Sequence, residues 1–218
     1  MLLKCLVYRE VQKLTANIYI KRHVVMNHAW LKLLLLLKYW PYILVYANIN
    51  KQTDLTDEWM RYAERWISPY SGMFAFLWVV KMFPEYRSIL YFRIKNAYVN
   101  FLCRFYPPQT TLYIQVKSHI GKNFFIWHGF STIINAETIG DNCEIWQQVT
   151  IGNKFNEDGE KPRLGNNVKV CAGAIIIGDI HIGDNAIIGA GAVVTKDVPA
   201  NVVVAGVPAR IIKILENA

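Results

Sequence analysis

From Ile114 onward an aliphatic side chain returns every sixth residue, and that period leaves few folds open. The ladder runs Ile114, Ile120 and Ile126, then Ile133, Ile139, Ile145 and Ile151, then Leu164, Val170, Ile176, Ile182, Ile188 and Val194. It breaks twice, with a step of seven from Ile126 to Ile133 and a step of thirteen from Ile151 to Leu164. A period of six matches neither a free helix nor an alternating strand. It matches a solenoid in which each hexad is one short strand ending in a turn, and three hexads close a triangular coil. A β-sandwich would space its strands at roughly 8–12 residues, so the strict six excludes it.

A second element of the repeat agrees. Glycine follows the aliphatic residue at Gly121, Gly140, Gly152, Gly165, Gly183 and Gly189, often with Asp-Asn or Asn-Asn next. Gly and Asn tolerate the positive φ that tight corners require. Val168, Ala174, Ala186 and Ala192 fall four positions after the aliphatic residue, where small side chains let coils approach. The seven-residue step contains His128. One extra residue there is expected to push a side chain out of an otherwise regular wall.

Residues 120–212 resemble the left-handed parallel β-helix of the hexapeptide-repeat acyltransferases, in their serine acetyltransferase-like branch. The resemblance rests on Ile-Trp-His-Gly at 126–129, the stretch from Ile139 to Gly152, the stretch from Ile188 to Pro199, and the closing Ala-Gly-Val-Pro-Ala-Arg at 205–210. It implies acetyl transfer from acetyl-CoA to a hydroxyl, in a homotrimer with active sites between subunits and without a metal. Such transfer needs a base for the hydroxyl proton, and histidine titrates in the useful range. The matching histidine is the family's general base, which assigns that role to His128. Backbone N–H groups at a glycine corner are expected to meet the oxyanion. For the donor, the resemblance implies close approach at Gly152, Ala172-Gly173 and Ala190-Gly191, with Lys196, Arg210 and Lys213 for the nucleotide phosphates. His119 and His181 receive no chemistry.

The chain departs from the family where the acceptor binds. Trp127 stands where an aspartate precedes the histidine, Tyr113 where a carboxylate orients it, and Glu160-Lys161-Pro162 where Arg-His-Pro holds the amino acid's carboxylate. The candidate acceptor residues are therefore Trp127, Tyr113, Lys161 and Arg163. An aromatic face beside the base favours a carbohydrate hydroxyl, as in surface-polysaccharide or glycan-precursor biosynthesis. L-serine on the route to cysteine is the alternative acceptor, and a non-catalytic β-helix scaffold is the second alternative. The polar insertion Asn153–Arg163 is expected to reach over a neighbouring subunit's cleft.

Charge divides the chain. Residues 1–107 carry 15 Lys+Arg against 6 Asp+Glu, and residues 108–218 carry 9 against 10. Pro107-Pro108 ends helical structure. The expected organisation is an α-helical, basic and aromatic region at 1–107 and a β-helix domain at 108–218. Thr56 offers a helix cap before an acidic first turn. The apolar stretches Trp30–Tyr46 and Met73–Val80 are too short and interrupted to span a membrane. They read as helices packed on the trimer's end. A second reading is an interfacial helix with Trp30, Tyr39, Trp40 and Tyr42 at headgroup depth and Lys32 and Lys38 snorkelling. No motif supports nucleic-acid binding. Cys5, Cys103, Cys143 and Cys171 lack paired spacing and read as buried thiols in a reducing, cytoplasmic setting, with peripheral contact at the inner membrane face under the second reading. Met26 offers an internal start, so 1–25 read as a dispensable extension.

Overall fold

The computed structural model describes residues 29–49, 53–66, 72–94, 97–154 and 160–215. The Trp30 side chain, Cys5 and the extension at 1–25 lie outside the described residues. Contacts divide the chain into two compact units, 1–82 and 83–218.

In the first unit, α1 (Ala29–Tyr39) and α2 (Pro41–Ile49) are followed by α3 (Thr53–Trp66) and α4 (Gly72–Met82). The break between α1 and α2 falls at Pro41, which cannot continue a helical ladder. Tyr42, Tyr62, Phe76 and Leu77 are fully buried among these helices, and Tyr46, Trp59 and Phe76 meet as an aromatic cluster with centroids 5.4–6.1 Å apart. Two expectations change here. The helix expected to start after Thr56 begins at Thr53, and Thr56 instead donates its hydroxyl to Ile49 O at 3.3 Å. The second reading of the apolar stretches changes too: Tyr39 and Tyr42, which it put at headgroup depth, are buried at 7% and 0% exposure, their rings meeting each other and Phe76 as packed helices require. No helix among the described residues is long and apolar enough to cross a membrane.

The second unit opens with α5 (Pro84–Ile94) and α6 (Ala97–Phe105) and continues as a left-handed parallel β-helix. Wall A stacks β1 (Leu112–Ile114), β4 (Thr132–Ile134), β7 (Thr150–Gly152), β10 (Ile175–Ile177) and β13 (Val193–Val194). Wall B stacks β2 (His119–Ile120), β5 (Thr138–Ile139), β8 (Arg163–Leu164) and β11 (His181–Ile182). Wall C stacks β3 (Phe125–Ile126), β6 (Glu144–Ile145), β9 (Lys169–Val170), β12 (Ile187–Ile188) and β14 (Val202–Ala205), and is edged by the antiparallel β15 (Arg210–Ile214). The ladder residues fill the interior: Ile126, Ile145, Ile151, Val170, Ile176, Ile182 and Ile188 are 0% exposed.

One ladder position differs from the sequence reading. Ile134 is 0% exposed and pairs with Ile114 and Ile151, whereas Ile133 is 46% exposed on the outer face. The corner after Ile126 is therefore two residues longer than a regular one, and the next corner is one shorter. Adjacent isoleucines satisfy the same pattern, and a one-residue choice flips which side chain points inward. The α5 helix is fastened to the solenoid by Arg93, which donates from Nη1 to Ile120 O and from Nη2 to Gly121 O. Tyr91 Oη also donates to Tyr106 O at 2.8 Å, and Arg87 Nε to Pro107 O at 2.9 Å.

Candidate active site

The enlarged corner between walls C and A holds His128. Gly129 N donates to Trp127 O at 2.8 Å, closing a three-residue turn with His128 at its centre. His128 has φ 64°, Gly129 φ 58° and Ser131 φ 51°, so three residues of this corner adopt the left-handed conformation. A γ-turn centred on a non-glycine residue at positive φ is strained, and such strain persists only where packing holds it. The packing is visible at Gly129. A Cβ there would lie 3.1 Å from Glu85 Cβ, 3.2 Å from Ile126 Cγ2 and 3.3 Å from Leu112 Cδ2. Wall C, wall A and helix α5 thus close on the peptide after His128.

Burial lowers the pKa of the half-buried His128 below its ordinary 6.5, so its imidazole is neutral at physiological pH. Its ring centroid lies 6.0 Å from that of Phe130. Beneath the turn, Glu85 is 7% exposed. Desolvation raises its carboxyl to about 7, against smaller opposing effects of its own backbone N–H and Arg87.

Trp127 leaves the turn on the wall C side. Its indole lies parallel to Trp146 at 5.3 Å and 14°, meets Phe125 edge-on at 4.9 Å, and donates Nε1–H to Glu144 Oε2 at 2.9 Å. Glu144 is 5% exposed, and Lys169 Nζ lies 4.0 Å from its other oxygen. Trp127 and Trp146 hold the same position in successive coils, each just after a ladder isoleucine, and this signal was legible in the sequence. With Trp146 against one face and Glu144 holding the N–H, the half-buried indole braces the turn from the wall C side.

Ala172-Gly173 and Ala190-Gly191 lie on the same C-to-A corner, stacked on successive coils through Gly173 N→Gln147 O at 3.0 Å and Gly191 N→Ala172 O at 2.9 Å. A Cβ on Gly191 would meet nothing within 4 Å, and one on Gly173 only Gly191 backbone at 3.9 Å. These corners leave room for the slender arm of a ligand to approach backbone. Arg210 begins β15 at the end of this column, where Ala205 and Arg210 pair. Tyr113 is 52% exposed on wall A, level with Ile133.

Other expected residues sit elsewhere. Gly152 ends β7 on wall A, Lys196 lies in an A-to-B corner, and Lys213 is exposed on β15. Arg163 is on wall B, the side of the triangle opposite the His128 corner. Its guanidinium donates to Glu137 Oε2 and Asp179 Oδ1, both at 2.6 Å. Those bonds occupy the fork that was to hold an acceptor's carboxylate. Lys161 is half-buried ahead of β8, and residues 155–159 of the insertion lie outside the described residues. The glycine N–H groups at 129, 173 and 191 all bond within the solenoid, so they are not the expected oxyanion donors. A groove of about 650 Å³ is lined by Arg93, Ser118, Gly140 and Asn166 on wall B and the B-to-C corner, away from His128. No cluster of His, Cys, Asp or Glu among the described residues is placed to hold a metal.

Residues 161–196 match the bacterial transferase hexapeptide family, whose pattern comprises six repeats. The chain is 36% identical over 149 residues to a serine acetyltransferase of Staphylococcus epidermidis, covering 67% of this chain and 68% of that protein. It is 44% identical over 105 residues to a serine acetyltransferase of Synechococcus elongatus, spanning 47% of this chain but 43% of that protein. In structure it resembles the serine acetyltransferase of Brucella abortus solved with coenzyme A, with TM-score 0.59 and 26% identity over 79% of this chain and 71% of that one. The relatives' names point to serine, and they overturn the carbohydrate acceptor.

Proposed function

The chain belongs to the serine acetyltransferase family of hexapeptide-repeat proteins, and from that premise we propose that it transfers an acetyl group from acetyl-CoA to the hydroxyl of L-serine. The observation that carries the reading is His128, neutral and held at positive φ in the one enlarged corner of the C-to-A column, with open glycine corners stacked on it. In this reading His128 takes the serine hydroxyl proton as the oxygen bonds to the thioester carbonyl carbon. The carbon–sulfur bond then breaks, and the departing thiolate receives the proton back from His128. The thioester supplies the acetyl group, and no acyl-enzyme is required.

Gly173 and Gly191 fit the pantetheine arm because nothing stands over them, and Arg210 at the end of the same column is available to a phosphate. Arg163 is held by two carboxylates, so Lys161 is the cation of the insertion assigned to the serine carboxylate. In a homotrimer the insertion of one subunit would bring Lys161 to the His128 corner of the next, which a single coil keeps on different sides. The test is release of CoA thiol from acetyl-CoA by the purified chain with and without L-serine. Turnover that requires serine and disappears in His128→Ala supports the reading. Serine-independent silence together with an unchanged His128→Ala baseline would leave the scaffold alternative standing.

A further inference from the structure

The helical unit carries an apolar face that acetyl transfer does not use. Across α1 and α2 the buried side chains are Leu35, Tyr39, Pro41, Tyr42, Val45 and Ile49. Leu33, Leu34, Leu37, Trp40 and Leu44 point the other way, each 51–64% exposed. Leu33 and Leu37 are one helical turn apart on α1, while Trp40 sits in the break before Pro41 and Leu44 follows on α2. Scattered exposed leucines need no explanation, but five large apolar groups on the two short helices and the residue that joins them do.

The charges within residues 29–49 are of one sign. Lys32 and Lys38 are exposed, one residue before Leu33 and one after Leu37, which places them on opposite flanks of α1. Lys32 Nζ lies 5.6 Å over the Phe74 ring and Lys38 Nζ 5.8 Å over that of Tyr39, so each ammonium sits beside an aromatic ring of the helical unit. Residues 29–49 contain no Asp or Glu.

We propose that this face docks on an anionic lipid surface, with α1 and α2 lying in the interfacial plane. The leucines and Trp40 enter the headgroup–acyl boundary while the flanking lysines meet lipid phosphates. The segment carries lysines and no carboxylate, which suits an anionic surface and gives a second copy of the same face no opposite charge to pair with. The eleven residues of α1 are too few to cross a bilayer, so the contact is peripheral. This inference does not depend on the acetyl-transfer reading.

The test is co-sedimentation of the full chain with phosphatidylcholine vesicles, with and without about a quarter of phosphatidylglycerol, at low and high salt. The expected result is binding to the anionic vesicles that exceeds binding to neutral ones by about tenfold and weakens with salt. Leu33→Ser with Leu37→Ser should abolish it while circular dichroism and melting stay unchanged, since both positions are exposed. Lys32→Gln with Lys38→Gln should weaken it about tenfold. No sedimentation of the folded parent, or equal binding to both vesicles, overturns the proposal. A doubling of mass in solution that the leucine pair dissolves, without vesicle binding, also overturns it and assigns the face to a second copy. Serine-dependent thiol release, read on the same preparations, reports separately on the enzyme.

Discussion

Two corners of the same solenoid turn by different rules. Between walls B and C every coil repeats one solution. Asn123, Asn142, Asn167, Asn185 and Asn201 all sit at φ between 54° and 59°. Their amides bond from coil to coil, as Asn123 to Asn142 at 2.8 Å and Asn185 to Asn201 at 2.8 Å. Asp141 and Asp184 accept backbone N–H groups from the neighbouring coil at 2.7 and 2.6 Å. The glycines that open these turns have no room for a side chain, since a Cβ would lie 2.3–2.6 Å from the next coil at Gly121, Gly140, Gly165 and Gly183. Between walls C and A, positive φ falls instead on His128, Gly129 and Ser131, then Gln148, Gly173, Gly191 and Gly206, and the corners at Gly173 and Gly191 are open. The first corner repeats because chain reversal at minimum spacing has few solutions. The second departs from the repeat where a side chain must stand free of the wall and where backbone stays accessible.

The largest expected effect separates the two corners by activity. His128→Ala should lower serine-dependent thiol release by about a hundredfold to ten-thousandfold with little change in melting temperature. Retained activity would make the enlarged corner a mere turn. The acid limb of kcat/KM should fall below pH 6.5, since burial keeps His128 neutral to lower pH than a free imidazole. A limb above that value would point to another base.

A second effect concerns what lies under the irregular corner. Glu85 is protonated more readily in the folded chain, so the stability it permits is complete below pH 4.5 and declines as pH climbs through about 7. The decline should be about 3 kcal/mol in all, read by urea titration across that range. Glu85→Gln should flatten it, and a parent curve already flat would place the carboxyl outside the buried layer.

Smaller differences test the glycines. Gly129→Ala should cost about 1–3 kcal/mol from crowding against Glu85, Ile126 and Leu112, with strain at positive φ added. Gly191→Ala has positive φ but open space, and should cost about 1–2 kcal/mol. Equal melting of the two variants would show that the enlarged corner relaxes freely. The smallest effect belongs to the regular corner. Asn185→Gly keeps the positive φ and removes only the amide bonds to Asn167 and Asn201 at an exposed site, for about 1 kcal/mol and no loss of turnover per folded molecule.

The coil, its three walls and the location of the irregular corner were legible, because a period of six is a local property that each hexad restates. The tryptophan stack was legible in principle, since residues at one position of consecutive coils on a wall must be neighbours. The choice between Ile133 and Ile134 was not, because both satisfy the pattern and only pairing with Ile114 and Ile151 separates them. Arg163 was misjudged for a related reason. Its nearness to Lys161 in the chain says nothing about Asp179, which arrives from another coil to hold it.

By itself the sequence determined the solenoid, the histidine that interrupts it and the boundary of basic, aromatic composition, all of which follow from spacing or residue type. Tertiary structure decided which isoleucine faces inward, that Trp127 is a brace tied to Glu144, and that Glu85 of a helix lies against the turn of His128. It also decided that Tyr39 and Tyr42 are core while Leu33, Leu37, Trp40 and Leu44 face outward. Each of these depends on contacts between segments far apart in the chain, where packing and burial choose among side chains that local periodicity treats alike.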